Sequence, residues 1–165
     1  MTLAVRRLDL DDAADVALGL TLVEEYVLFT ADESRGHGHT EVDVPTLRRI
    51  IPDLRDFAGR YRGGAYLVAS RDGDVAGGVG ITRYDDRVCE MNRLWLRAPF
   101  RGIGAGRALV GACLDHARDL GFARMVLDVV PYRRRAIALY RSFGFVDTDP
   151  IHKYPFVMVA LARDL

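Results

Sequence analysis

The spacing of hydrophobic residues changes along the chain, and each change marks an element. Thr2 to Leu8 reads as a short strand. Asp11 or Asp12 is placed to cap a helix, and Val16, Leu20, Val23 and Val27 then recur at spacings of four, three and four. That period puts one apolar face on a helix over residues 12–29. Thr30 to Val44 is polar, carries Gly36 and Gly38, and reads as a loop. Pro45 suits a first helical turn, and Leu47, Ile50, Ile51 and Leu54 follow at helical spacing; Pro52 makes this helix short or kinked.

The middle of the chain is extended. Ala65 to Ser70 is an apolar strand, and Arg71-Asp72-Gly73-Asp74 is a hairpin turn of the Asp-Gly type. Val75 to Tyr84 is a second strand, containing Gly77, Gly78 and Gly80, and Val88 to Leu96 is a third after the turn at Asp85-Asp86. A Gly-rich corner over Arg101 to Gly106 feeds a helix over Arg107 to Leu120, which Gly121 ends as a left-handed cap. Arg124 to Val130 is a strand stopped by Pro131. Arg134 to Phe143 is a helix ended by Gly144, and Phe145-Val146 and Phe156 to Leu161 are the closing strands. The order β-α-α-β-β-β-α-β-α-β-β predicts a mixed α/β domain with one central sheet, a single domain over residues 1–165.

Composition narrows the class. The 165 residues are half hydrophobic and 28% charged, which fits one globular domain rather than a disordered chain. No apolar run approaches the roughly 18 to 20 residues that span a bilayer, and the charged segment Met1 to Asp12 has no signal-peptide core, so a cytoplasmic protein without membrane partners is expected. The 23 basic and 23 acidic residues cancel, whereas a nucleic-acid-coating protein needs a basic surplus. Cys89 and Cys113 sit in apolar stretches without metal-ligand spacing and read as reduced core thiols.

The corner Phe100-Arg101-Gly102-Ile103-Gly104-Ala105-Gly106-Arg107 is the sharpest chemical signal. A turn from strand to helix leaves backbone N–H groups free at the positive end of a helix, and glycines let phosphate oxygens approach that backbone. A dinucleotide fingerprint would need a third glycine where Arg107 stands, and a Walker loop would need Gly-Lys-Ser or Gly-Lys-Thr. A coenzyme A loop, R-x-x-G-x-G, is matched by Arg101, Gly104 and Gly106. A tight turn without a ligand is the remaining reading.

Cys89-Glu90-Met91-Asn92-Arg93-Leu94-Trp95-Leu96 and the corner after it resemble the fourth strand and pyrophosphate loop of GNAT-type N-acetyltransferases. Leu139-Tyr140-Arg141-Ser142-Phe143-Gly144-Phe145 is similar to that family's second signature, a helix ending L-Y-x-x-x-G-F. The resemblance covers the chain from Leu3. It implies a twisted, mostly antiparallel sheet flanked by helices, whose fourth and fifth strands splay apart around acetyl-CoA. It places Leu94, Trp95 and Leu96 along the pantetheine arm through their backbone, and Arg101, Gly102, Ile103, Gly104, Ala105, Gly106 and Arg107 around the diphosphate. Tyr140 falls where many members keep a tyrosine that protonates the departing thiolate. Arg133, seven residues earlier, stands where the family often has an asparagine and is a candidate CoA contact.

The chemistry also follows from the reaction. An alkyl amine with a pKa near 10 must lose a proton before it attacks, and a carboxylate is suited to take it. A backbone N–H on the splayed strand would support the oxyanion. Two carboxylates interrupt apolar strands. Glu90, eleven residues before Arg101, matches the glutamate of histone-type members; Asp128, twelve before Tyr140, matches the base of members that modify protein N-termini. Glu90 ranks first, and salt bridges to nearby arginines are the structural alternative for both. For Tyr140 that alternative is a place in the apolar stripe Ala136, Leu139, Tyr140, Phe143. The run Arg133-Arg134-Arg135 is either a solvated face or a CoA phosphate contact.

Other residues carry less. His37 and His39 lack further ligands, so no metal site is expected. Glu24, Glu25, Tyr26, Asp32 and Glu33 either line an acceptor pocket or face water, and His152 and Tyr154 lie where the acceptor site borders the last strands in this family. Cys89 points away from Glu90 across its strand, so transfer is expected directly within a ternary complex. The expected partner is an amine acceptor, with homodimerisation left open. The competing readings are a non-catalytic acyl-CoA-binding module and an Arg-rich interaction domain.

Overall fold

A computed structural model describes residues 2–165; Met1 lies outside the described residues. Strand β1 (Leu3–Arg7) leads to helices α1 (Ala13–Gly36), α2 (Val44–Ile50) and α3 (Phe57–Tyr61). Strands β2 (Ala65–Arg71), β3 (Asp74–Arg83) and β4 (Val88–Leu96) follow, then α4 (Ala105–Asp119), β5 (Arg124–Val129), α5 (Arg134–Ser142), β6 (Val146–Asp147) and β7 (Val159–Asp164). They form one seven-stranded sheet in the order β1-β2-β3-β4-β5-β7-β6. Every neighbouring pair is antiparallel except β4 and β5, which run parallel. No helix of the described residues is long and apolar enough to cross a membrane.

Each face of the sheet carries its own core. On one side Leu109, Val110, Cys113 and Leu114 of α4 bury against Leu67, Ile81, Met125 and Leu127. On the other, Leu22, Val23 and Val27 of α1 pack with Leu47, Phe57, Tyr61, Tyr66 and Val68. The rings of Phe57, Tyr61 and Tyr66 meet at 5.0–5.1 Å. Gly78 and Gly80 lie directly under Tyr66 and Tyr61, where a Cβ would collide with the rings. The glycines of β3 therefore make room for α3 and its aromatic cluster.

Strand β4 is where the sequence expectation and the structure coincide residue for residue. The hairpin turn is also as expected: Asp72 and Gly73 both have positive φ, 52° and 91°, the pattern of a two-residue turn. Three expectations need correction. Helix α1 continues two turns past residue 29, so the expected loop over Thr30 to Val44 begins only after Gly36. Its buried face is extended by Thr30, Ala31 and Ser34, small residues that a count of large apolar side chains overlooks. Helix α3 was not anticipated; five residues are too few for a period, and it is held by the Asp56 carboxylate accepting from the Gly59 N–H. The last strand begins at Val159 rather than Phe156, since 151–158 curl over the sheet as a loop.

Candidate active site

Strands β4 and β5 pair only over Val88–Arg124, Cys89–Met125 and Glu90–Val126. Beyond that point β5 follows β7, with Asp128 opposite Ala160, while β4 follows β3. The edge of β4 from Met91 to Leu96 is left without a strand partner on the β5 side. A wedge between parallel strands with free backbone groups is a built receptor for an extended polar chain.

At the apex of the wedge, Glu90 and Asp128 project from the same face of the sheet. The Glu90 Oε2 atom lies 2.9 Å from Nε2 of His152, brought in by the loop before β7. Ligating atoms of Glu90, Asp128 and His152 all lie within 4.8 Å of one another, a spacing that also suits a metal ion. Burial and the neighbouring Glu90 push the Asp128 carboxyl above its usual range, against the opposing pull of His152 and Tyr154. Its Oδ2 is buried with no hydrogen-bond partner. A partly buried carboxylate with a free lone pair is equipped to accept a proton.

The same strand is bent by a bulge. Gly78 pairs with Trp95 and Gly80 with Asn92, so Arg93 and Leu94 together oppose Val79. Arg93 takes φ +55°, the left-handed region that a residue with a Cβ rarely adopts. Its guanidinium grips Asp53, Nε to Oδ2 and Nη2 to Oδ1 both at 3.2 Å. Asp53 is fully buried and also accepts from the Tyr61 hydroxyl. Asn92 next to the bulge donates to Thr82 at 2.9 Å. The turn at Pro52–Leu54 and helix α3 thus hold the bulge through a buried ion pair and the Tyr61 hydroxyl.

The Gly-rich corner closes the other end. Gly102 and Gly104 have φ +77° and +91°, with open space where a Cβ would project. Gly104 caps α4 without any side-chain acceptor, so the first N–H groups of that helix point outward. The corner thus has the free donors and the bare backbone that a diphosphate requires. Arg101 folds back, donating to the Leu96 carbonyl at 3.0 Å with its guanidinium 5.0 Å from the Phe29 ring and 5.1 Å from Trp95. Arg107 donates to Ser142.

The sequence of residues 23–145 matches the acetyltransferase (GNAT) family. YjgM, an N-acetyltransferase of Escherichia coli, is 31% identical over 150 residues, covering 88% of this chain and 83% of its own. The chain belongs to the GNAT family of acetyltransferases. It is an enzyme of acetyl transfer that draws on acetyl-CoA. Human N-acetyltransferase 8 is 36% identical over 107 residues, which span 60% of this chain and only 47% of the human protein. Among solved structures, the PaiA N-acetyltransferase of Thermoplasma acidophilum, in complex with coenzyme A, superposes with a TM-score of 0.73 at 15% identity over the whole of both chains. YncA of Salmonella typhimurium, solved with acetyl-CoA, gives 0.70 at 22% identity over 99% of this chain and 94% of its own. These likenesses show the twisted, mostly antiparallel GNAT sheet with its one parallel pair.

Within this GNAT chain the expected residues are distributed unevenly. Glu90 and Asp128 meet at one cavity of about 600 Å³, which none of Leu94 to Arg107 lines. Tyr140 is buried against Phe145 at 6.0 Å, outside that lining, and burial raises its hydroxyl above the usual phenol range. Arg133 reaches the cavity but turns toward α1, donating to Glu33 at 2.7 Å, Thr30 at 2.9 Å and the Tyr26 hydroxyl at 3.3 Å. Of the α1 candidates, Tyr26 lines the cavity, Glu33 neutralises Arg133, and Glu25 binds Arg97 and the Trp95 indole N–H. Arg93, one of the arginines near enough in sequence to pair with Glu90, pairs with Asp53 instead, a residue to which the sequence assigns no role. Asp53 directly follows Pro52, in a turn where a carboxylate is ordinarily solvated, so no local pattern marks it as a buried partner.

Proposed function

We propose that this chain transfers the acetyl group of acetyl-CoA to a primary amine by direct attack within a ternary complex. The observation that carries the reading is the parting of β4 and β5 immediately after Glu90, with Glu90 and Asp128 on one face at its apex. The free edge of β4, including the backbone of Leu94, Trp95 and Leu96, suits the amide groups of pantetheine. The corner Arg101–Arg107 suits the diphosphate through the N–H groups opened by Gly102 and Gly104. Arg133 contributes by fixing α1 beside the wedge, and its ion pair with Glu33 leaves it little charge to spend on a CoA phosphate.

The acceptor arrives as an ammonium. Glu90 or Asp128 takes one proton from it, and the raised affinity of Asp128 for a proton favours that transfer near neutral pH. The nitrogen lone pair then forms a C–N bond to the acetyl carbonyl carbon, and a backbone N–H of the bulged strand supports the oxygen. The C–S bond breaks and its electrons leave on sulfur; the Tyr140 hydroxyl is the candidate donor of the proton that the thiolate accepts, and the second N–H proton, released as the amide forms, passes through solvent back to the Tyr140 oxygen. His152, 2.9 Å from Glu90 and partly exposed, gives the captured proton a way to solvent.

An acyl-enzyme route has little support. Cys89 is fully buried on the α4 side and its thiol is pushed up to about 12 by burial. Cys113 is buried as well. Initial-rate measurements with acetyl-CoA and amine both varied test the proposal: intersecting lines in the double-reciprocal plot are expected. Parallel lines, or no release of CoA with any amine, would overturn it.

A further inference from the structure

The cavity at Glu90 and Asp128 has two unlike parts. Its floor is acidic. Its wall includes an apolar stretch, Val42, Leu47, Ile50 and Ile51 around α2 with Phe156 and Val157 from the loop before β7, next to the polar His39, Glu41 and Arg134. Ile50 is 50% exposed and Val157 77%, and both are large apolar side chains held against water at the rim of the same hollow. Among the described residues seven large hydrophobic side chains are exposed, and three of them, these two and Tyr154, line this cavity. Single exposed apolar residues are ordinary, but three gathered on one concave surface mark a place for an apolar group.

The charges around the cavity restrict the ligand further. Arg93 is neutralised by Asp53, Arg133 by Glu33, and His39 lies 3.2 Å from Glu41. That leaves Glu90 and Asp128, with His152 beside Glu90, to receive one ammonium at the floor. Glu41, the only other carboxylate of the lining, is exposed to water and hydrogen-bonded to His39. Arg134, exposed and without an ion pair among the described residues, repels further positive charge. A second cation on the acceptor would therefore meet hydrocarbon and a like charge, at the cost of its own desolvation.

From this juxtaposition of an acidic floor and an exposed hydrocarbon rim, we infer that the acceptor is a monocationic amine on an apolar body, and not a polyamine or a polycationic sugar. The inference rests on the acetyl-transfer reading above and narrows it. The apolar body is desolvated between Ile50 and Val157 while the amine reaches Glu90 and Asp128. Binding of the body sets specificity, and the carboxylates set reactivity.

A matched pair of probes isolates the rim. n-Heptylamine and 1,6-diaminohexane have the same length and differ only in a terminal methyl or ammonium, and both reacting amines have pKa values near 10. The wild type is expected to show kcat/KM at least about 30-fold higher for n-heptylamine, equivalent to about 2 kcal/mol. The doubly substituted chain Ile50→Glu with Val157→Glu changes exposed side chains and should fold normally, which circular dichroism checks. It is expected to reverse the order, with the diamine gaining and n-heptylamine losing. Equal or better use of the diamine by the wild type, or an unchanged ratio in the double variant, would overturn the inference while acetyl transfer stood. Calorimetric titration of both amines into the CoA-saturated protein reads the subsite without turnover. Tighter n-heptylamine binding with no turnover of any amine would refute the acetyl-transfer reading and leave only an apolar-amine binding subsite; equal binding of the two amines would refute the inference.

Discussion

The two ends of the wedge are built in opposite ways. The end proposed for the diphosphate is a run of neighbours, Arg101 to Arg107, and its free groups belong to the backbone. The end proposed for the acceptor is assembled from side chains that the chain brings together from residues 26, 42–51, 90, 128 and 154–158, with His152 beside Glu90. Backbone donors at a helix N-terminus are supplied by any sequence that makes the turn. Side-chain sites depend on every element that carries a member, so the second end is the more fragile and the more specific. Substitutions near the loop should change acetyl-CoA affinity, whereas substitutions around Glu90 should change turnover and acceptor choice.

The largest effect is expected at a residue that touches neither ligand. Asp53→Ala strips the buried Arg93 of its partner and leaves the bulge of β4 unsupported. Removing one member of a buried pair costs about 3–5 kcal/mol, which urea unfolding should register. Removal of Glu25, whose partner Arg97 is about a third exposed, should cost far less, because solvent screens that pair. Comparable losses for the two would mean that the Asp53 network is not what holds the acceptor end.

Next comes Glu90→Gln, expected to lower turnover by roughly 10²-fold at neutral pH while acetyl-CoA affinity holds. Asp128→Asn should also slow turnover, with a signature that separates it from simple damage. The folded chain holds the Asp128 proton more tightly than the unfolded chain does, so ionisation of this group weakens the fold. The penalty is complete above the raised folded value and absent below the ordinary carboxylate range. Asp128→Asn should therefore melt higher than the parent at neutral pH and equally at acid pH near about 3. A lower melting temperature at neutral pH would contradict the origin assigned to the shift.

Tyr140→Phe should reduce turnover by about tenfold without moving acetyl-CoA affinity, and the deficit should shrink with a thioester of a more acidic thiol. An unaltered rate, with chemistry limiting, would leave Tyr140 the packing role its contact with Phe145 already supplies. The smallest effect is at the other end. Gly104→Ala meets no neighbour but must adopt φ +91°, which costs about 1–2 kcal/mol. Its effect should appear as a severalfold weaker acetyl-CoA dissociation constant with kcat unchanged. A fall in kcat would show that the two ends are not separable.

The same contrast explains what was legible in the sequence. Strand β4, the hairpin at Asp72-Gly73 and the Gly102–Gly104 corner depend on local chemistry, and local chemistry is written in neighbouring residues. Glu90 and Asp128 stood out because charges interrupt apolar strands, and the splay sets them face to face. Asp53 did not stand out: a carboxylate in a Pro-flanked turn is ordinarily solvated, and only the packing of α3 buries it beneath Arg93. The end of α1 was hidden because Thr30 and Ser34 face inward to bond Arg133 and Tyr132, partners a hundred residues away. His152 was placed near the acceptor by resemblance, but its contact with Glu90 depends on how 151–158 curl.

The central claim is that carboxylates at the apex of the wedge deprotonate the acceptor. The most direct test is the rate of n-heptylamine acetylation at saturating acetyl-CoA as a function of pH, for the parent and for the Glu90→Gln, Asp128→Asn double variant. A gap of roughly 10²-fold or more is expected near neutral pH, narrowing steadily and largely closing by about pH 10, where the free amine needs no base. A gap that stays constant across this range would contradict the claim.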